Sequence, residues 1–309
     1  MSLRYAVGID LGTSNTALAY ADLSEQDPAV RVFDVPQLVA ADVRQERALL
    51  PSHLYLASPH EPHAGEILVG TFARDRGAQV PGRHVSSAKS WLCHPSVDRT
   101  AAILPWGAPP DVPRLSPVNA SARILAHLRA AWDTAHPDAP LAEQDLVVTV
   151  PASFDEGARA LTLQAAAEAG LPRLLLLEEP QAAFYDWTRV HRSSIARELA
   201  SVQLVLVVDV GGGTTDLTLI RTQISEDAPP VLERIAVGDH LLLGGDNMDL
   251  ALARTAELRM QQKLDASRFG ALVQASRAAK ELLLAEEPRA EIPLPPRGRR
   301  SRRTPHPLA

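Results

Sequence analysis

Two stretches of this chain repeat one pattern 199 residues apart. The first is Val7-Gly8-Ile9-Asp10-Leu11-Gly12-Thr13-Ser14, and the second is Val207-Val208-Asp209-Val210-Gly211-Gly212-Gly213-Thr214-Thr215. Each reads as apolar strand, aspartate, apolar residue, glycine turn, hydroxyls and returning strand, the grammar of a tight hairpin. The interval is far longer than the 20–50-residue period of a solenoid. Two similar lobes with a ligand between them are the simplest arrangement. Glycine turns bare consecutive backbone N–H groups, and such a nest binds phosphate oxygens. A Cβ there would hold the anion away from the backbone. Thr13, Ser14, Thr214 and Thr215 add hydroxyl donors. An aspartate beside a polyphosphate is repulsive unless a hard cation lies between, and Mg²⁺ takes carboxylates, water and phosphate oxygens. Either turn alone reads equally well as a plain turn; the matched pair, with Asp10 and Asp209 in register, reads as a clamp on Mg²⁺-bound phosphates. The chain has no Gly-x-x-x-x-Gly-Lys-Ser/Thr, which excludes a P-loop, and no Gly-x-Gly-x-x-Gly, which counts against a dinucleotide fold.

Composition narrows the setting. A chain of 309 residues has room for two compact lobes at ~100–200 residues each. Hydrophobic residues are 46% and charged residues 22% of the chain, a globular balance. The formal net charge of −6 excludes a chain-wide basic footprint, so no nucleic-acid partner is expected. Cys93 is the one cysteine, which rules out an internal disulfide framework and fits a reducing, cytoplasmic compartment. No apolar run reaches the ~18 residues of a membrane span, and Asp10 falls where a signal peptide needs its apolar stretch; no membrane association is expected. Lys89, Lys263 and Lys280 are the only lysines among 31 basic residues.

Along the chain, strands are predicted over 5–9 and 16–20. Residues 21–117 read as irregular, with short strand-like runs such as Leu54-Tyr55-Leu56. Five prolines between Pro105 and Pro117 make that stretch a loop. Ile124, Leu125, Leu128 and Trp132 share one helical face, which predicts an amphipathic helix over 119–135. A buried strand over 146–150 stops at Pro151. Ser153 and Glu156 then fit a capping box opening a helix that ends at Gly170. Residues 174–177 read as a strand, 181–199 as a helix, and 202–209 with 215–221 as a hairpin. Helices are predicted over 246–264 and 268–284. Strands alternating with helices define an α/β architecture. The last 24 residues hold six prolines and six arginines with no helical or strand period, and read as a disordered tail. The four tryptophans read as packing residues. His53, His60 and His63 are too loosely spaced to read as a metal site.

Six blocks, in order from residue 4 to about 284, resemble the ATPase domain of the 70-kDa heat-shock chaperone family, within the actin-like ATPase superfamily. Gly8-Ile9-Asp10-Leu11-Gly12-Thr13-Ser14-Asn15 resembles the family's first phosphate motif, and Ser87-Ala88-Lys89-Ser90-Trp91-Leu92 the segment with its catalytic lysine. Val148-Thr149-Val150-Pro151-Ala152-Ser153-Phe154, continuing to Arg159 and Ala169-Gly170-Leu171, resembles the strand–helix connection. Glu178-Glu179-Pro180-Gln181-Ala182-Ala183 resembles the acidic-proline motif, and Asp209 to Asp216 the second phosphate motif. Gly238-Asp239 with Leu243-Gly244-Gly245-Asp246-Asn247-Met248-Asp249 is a weaker match to the next block.

The resemblance implies an α/β, actin-like (ribonuclease H-like, duplicated) fold with two lobes around a nucleotide cleft. The first lobe would span 1–200 with an inserted subdomain about 40–117. A second, incomplete lobe would span 201–285, and the tail 286–309. It implies ATP/ADP and Mg²⁺ as cofactors. Asp10 and Asp209 would organise Mg²⁺ through water. Thr13 and Ser14 would hold the β/γ-phosphates, and Gly212, Gly213 and Thr214 the γ-phosphate. Gly12, Asn15, Gly211, Gly244, Gly245 and Lys280 complete the implied nucleotide contacts. Lys89 would place its charge beside the attacking water, and Glu179 would orient that water or the metal shell. Phosphoryl transfer asks mainly for such positioning and charge neutralisation. Pro151 and Arg159 match positions the family uses for signalling between its nucleotide and substrate domains. Implied partners are unfolded protein clients, a J-domain co-chaperone and a nucleotide exchange factor.

The sequence also departs from the family. Where the family grips adenosine with an acid, a lysine and a serine, this chain has Arg277, Lys280 and Leu284. The second adenosine-binding glycine motif is absent. Two readings follow: a chaperone-type ATPase domain, here a fragment, or a non-catalytic nucleotide-binding or interaction protein on the same fold. A non-functional fragment is the limiting case of the second. A metabolite kinase is disfavoured, because no sugar-site signature accompanies the triple-glycine hairpin.

Overall fold

The computed structural model describes residues 3–94, 96–223, 231–238, 241, 243–261 and 263–285. In chain order the strands are β1 (Tyr5–Leu11), β2 (Asn15–Asp22), β3 (Arg31–Val32), β4 (Val35–Ala40), β5 (Val43–Arg47), β6 (Leu50–Pro51) and β7 (Leu54–Leu56). They continue as β8 (Ile67–Val69), β9 (His84–Val85), β10 (Asp145–Val150), β11 (Leu175–Glu178), β12 (Leu204–Val210), β13 (Thr215–Gln223) and β14 (Val231–Val237). The helices are α1 (Thr71–Gln79), α2 (Ala88–Leu92), α3 (Pro117–Ala135), α4 (Glu156–Glu168), α5 (Glu179–Val190), α6 (Ile195–Leu199), α7 (Gly245–Arg259) and α8 (Ala266–Leu283).

The first sheet runs β11-β10-β1-β2-β3, with β6 also on β2. β1 and β2 form the first hairpin, and β10 joins β1 in parallel, as β11 joins β10. Tyr5, Val7, Ile9 and Leu11 alternate into the core, as a half-buried strand requires. They meet Ile124, Leu125, Leu128 and Trp132 of α3. The Ser116 hydroxyl caps α3 by accepting from the Asn119 N–H at 3.0 Å, and Pro117 takes the first helical position, where its missing donor costs nothing. Trp132 lies edge-on to Tyr5 and Tyr20 and donates to the Ala139 carbonyl at 2.9 Å.

The second sheet is β12-β13-β14, entirely antiparallel. Val205 and Val207 pack with Ile220 onto Phe184 of α5 and Leu199 of α6. This mixed α/β layering is that of the actin-like ATPase fold. Residues up to Met248 make one compact unit and those from Asp249 onward a second, so both sheets belong to the first unit.

Several local expectations change. The stretch 21–117 is not irregular: it carries seven short strands and two helices, including the β8-β7-β9 sheet under α1. The cap of α4 is Asp155, whose carboxylate accepts from the Ala158 N–H at 2.6 Å. Ser153 is not the cap: its hydroxyl donates to Asp216 at 3.1 Å instead. The carboxylate one residue before the helix outcompetes the hydroxyl. Gly170 does end this segment, at φ +81°, a conformation that favours glycine. The helix predicted over 181–199 is two helices, α5 and α6, parted by a turn at 191–194. Trp106 is not a packing residue: it is 64% exposed and stacks on Trp91. The tail read over 286–309 lies outside the described residues.

Candidate functional site

The two matched turns lie face to face. A Cβ built on Gly212 would stand 1.8 Å from the Ser14 Oγ, and one on Gly213 would stand 3.0 Å from the Thr13 Cγ2. Only glycine permits this approach. Gly12 needs its missing side chain for a different reason: a Cβ there would lie 2.1 Å from the Asn15 carbonyl oxygen inside the same turn. Between the turns opens a cleft of about 560 Å³. Asp10, Gly12, Thr13, Ser14 and Asn15 line it from the first turn, and Asp209, Gly211, Gly212 and Thr214 from the second. Lys89 and Glu179 line it as well.

Gly213, Gly244 and Gly245 do not line the cleft: Gly213 faces Thr13 of the first turn, and Gly244 and Gly245 back the second turn. The Gly245 N–H donates to the Gly211 carbonyl at 3.0 Å and the Asp246 N–H to the Gly212 carbonyl at 2.7 Å. A Cβ on Gly244 would stand 2.5 Å from the Gly212 oxygen. Lys280 lies in the second compact unit, on α8, where it ion-pairs with the buried Asp249 at 2.7 Å. Arg277 on the same helix pairs with Glu281 at 3.2 Å, and Leu284 is exposed.

The charges converge without cancelling. Lys89 is buried and forms an ion pair with Glu179. Burial pushes the Glu179 carboxyl above the usual carboxylate range; Lys89 draws it back, while Asp10 and Asp209 push it up further. Asp209 is raised too, first by burial and then by Asp216, with Lys89 opposing. Three carboxylates thus share one cavity with a single ammonium among the described residues. That donor set fits a divalent cation. Among the described residues no group of three metal-ligating side chains stands close enough to coordinate an ion directly. Isolated carboxylates suit Mg²⁺, which keeps several waters and completes its octahedron with phosphate oxygens.

Four lining or supporting residues carry no prediction above. The Thr149 hydroxyl donates to the Asp10 Oδ1 at 2.9 Å. Thr149 stands directly beside Asp10 in the parallel β1–β10 register, and its only sequence signal is being the polar residue inside Leu146–Val150. The Ser14 hydroxyl donates to the Asp246 carboxylate at 3.1 Å, so Asp246 ties the second turn to the first. Ser90 and Cys93 line the cleft beside Lys89, and burial raises the Cys93 thiol pKa.

Paired glycine hairpins with matched aspartates, on two sheets of one α/β unit, define the actin-like ATPase class. The chain belongs to the Hsp70 family within it: the family model described as Hsp70 protein matches residues 105–295. The Chaperone protein HscA homolog of Bordetella pertussis is 34% identical over 298 residues, covering 91% of this chain and 42% of that protein. The Acidithiobacillus ferrooxidans homolog of the same name is 34% identical, covering 97% of this chain and 45% of its own length. In Acinetobacter baumannii the corresponding figures are 30% identity, 92% and 43%. The chain therefore spans less than half the length of the relatives it matches. The matched region is the nucleotide-binding domain of a chaperone ATPase family. No helix among the described residues is long and apolar enough to cross a membrane.

Proposed function

We propose that this chain binds Mg²⁺-ATP between the Asp10 and Asp209 turns and hydrolyses it, as the ATPase module of a cytoplasmic protein-folding cycle. The observation that carries this reading is the contact of Gly212 with Ser14 and Gly213 with Thr13 across one cleft. It supports a reading in which two N–H nests and two aspartates act on a single ligand. Thr13, Ser14 and Thr214 supply hydroxyl donors to phosphate oxygens. Asp10, held by Thr149, and Asp209 would hold Mg²⁺ through its water shell, and the ion would supply neutralisation of phosphate charge. Glu179 accepts a proton from, or orients, the attacking water, and its raised pKa suits that task. Lys89 fixes Glu179 by their ion pair and offers its charge to the γ-phosphate. Unfolded polypeptide clients, a J-domain co-chaperone and an exchange factor would act on this cycle, as the family membership implies.

A second reading is favoured by one observation. Lys280 is engaged by Asp249 and Arg277 by Glu281, which leaves an adenosine grip to be made elsewhere. On that reading the chain holds nucleotide and turns it over little. Calorimetry with Mg²⁺-ATP and single-turnover hydrolysis separate the two. Micromolar binding, with phosphate release that disappears in Lys89→Ala, supports the ATPase. Tight binding with no release supports the second reading, and no binding defeats both.

A further inference from the structure

One hydroxyl of the proposed phosphate grip is already engaged. Ser14 lines the cleft, although it is only 7% exposed. Its Oγ lies 3.1 Å from one carboxylate oxygen of Asp246 and 3.2 Å from the other, so a single O–H is shared between the two. A serine has one hydrogen to donate. While that hydrogen points at the carboxylate, it cannot point at a phosphate oxygen. Asp246 does not line the cleft; it reaches Ser14 from the first turn of α7.

The backbones on either side of this contact are anchored separately from it. The Ser14 carbonyl accepts from the Ser52 N–H at 2.9 Å, and the Asp246 N–H donates to the Gly212 carbonyl at 2.7 Å. A change of the Ser14 rotamer therefore breaks the side-chain contact with both turns in place. The position of Asp246 at the start of a helix has a plain cause of its own, because the helix dipole favours an acid there. That accounts for a carboxylate at residue 246. It does not account for both oxygens of that carboxylate meeting a hydroxyl on the opposite turn.

We infer that Asp246 is a latch on the Ser14 hydroxyl: it holds that hydroxyl in the nucleotide-free chain, and Mg²⁺-ATP must take the hydroxyl from it to bind in full. The inference rests on the nucleotide reading and adds a regulating residue to that site. A carboxylate is a strong competitor for an O–H donor, since charge-assisted hydrogen bonds are roughly twice as strong as neutral ones. Asp246→Asn keeps the shape and one acceptor oxygen but competes less. The sign of its effect separates the two roles open to this contact. Removing a support weakens a site, whereas removing a latch strengthens it.

The test is calorimetry with Mg²⁺-ATP on the full chain, its Asp246→Asn variant, Ser14→Ala and the double variant. Asp246→Asn is expected to tighten binding about threefold to tenfold. Asp246→Ser, whose shorter side chain carries no charge, should tighten it as well, so the outcome does not hang on the folding of one variant. In the Ser14→Ala background most of the gain from Asp246→Asn should vanish, because no hydroxyl remains to be released. Equal or weaker binding by both Asp246 variants overturns the latch and leaves the contact as a support. A gain that persists undiminished in Ser14→Ala also overturns it, by showing that the charge of Asp246 acts on the ligand without the hydroxyl. Absence of binding by the chain and by every variant defeats the nucleotide reading itself, and the latch with it.

Discussion

At the scale of single residues, the cleft depends on atoms that are missing as much as on those present. Gly212→Ala would drive its Cβ to within 1.8 Å of the Ser14 Oγ and 2.6 Å of the Ser14 Cβ. The turns must then separate. Forced overpacking of this kind costs about 1–3 kcal/mol, and Mg²⁺-ATP affinity is expected to fall at least ~10-fold, each 1.4 kcal/mol being one decade. Gly212→Ala with Ser14→Gly removes the collision and should restore part of the binding in calorimetry; no recovery would mean that Gly212 matters for something other than close approach. That Asp10, Asp209, Gly12, Gly211, Gly212, Lys89 and Glu179 line one cleft is legible in the sequence, because each sits in one of the ordered blocks; Gly213, Gly244 and Gly245 sit in such blocks too and do not line it. Asp246 was not legible as the partner of Ser14. The two are 232 residues apart, and only the folded turns make them neighbours.

At the scale of elements, helix α4 shows how a local rule names the right place and the wrong atom. The capping-box pattern points to Ser153, whereas Asp155 caps the helix. Asp155 wins because its carboxylate also receives both Arg99 guanidinium nitrogens at 3.0 Å, and that pairing, with the Ala158 N–H, holds its pKa below the usual carboxylate range. Asp155→Ala is expected to lower stability by about 1 kcal/mol, and Asp155→Ser by less, since serine can still cap; urea midpoints check both. The inserted elements hold a second, pH-dependent contribution. The ring of His84 on β9 fills the space over Gly77 of α1, where a Cβ would lie 2.3 Å from the imidazole, and lies 2.9 Å from the His53 Nδ1. Burial holds the His84 pKa down at about 4, against an ordinary 6.5. The unfolded chain therefore binds a proton near pH 6.5 that the folded chain refuses until about 4. This stability is fully present above pH 6.5 and falls as the pH drops, by about 1.4 kcal/mol at pH 5.5. Urea midpoints at pH 7.5 and 5.5 should show the loss, and His84→Gln should flatten the difference. None of this was legible in a stretch that reads as irregular, because its strands are two to six residues long and their periods are too short to register.

Across the whole first unit, one carboxylate joins the two sheets. Glu178 ends β11, immediately before the cleft-lining Glu179, and its Oε1 accepts from Arg159 of α4 at 2.8 Å and from Arg234 of β14 at 2.7 Å. Arg234 also donates to the Ala152 carbonyl at 3.3 Å, and Ser153 reaches Asp216 on β13. These contacts run from the β10–α4 connection to the second sheet and hold the two aspartate turns at their separation. Neither arginine is legible as part of the site. Arg159 reads as a signalling position, and Arg234 lies in a strand whose alternation gives no hint of a partner on the other sheet. Glu178→Gln removes the charge while keeping the shape, leaving Arg159 and Arg234 facing each other unneutralised. Removing one member of a buried pair costs several kcal/mol, but the arginine side chains are 26% and 38% exposed, so water screens them and about 1–2 kcal/mol is the reasonable loss. That loss should fall on the relation between the sheets rather than on either sheet. The expected signature is weaker Mg²⁺-ATP binding with faster hydrogen exchange at 152–154 and 231–237, while β1 and β2 keep their protection. Uniformly faster exchange throughout the unit would show instead that Glu178 supports the core at large. Unchanged binding would show that the separation of the turns is set by the Ser14–Asp246 contact alone.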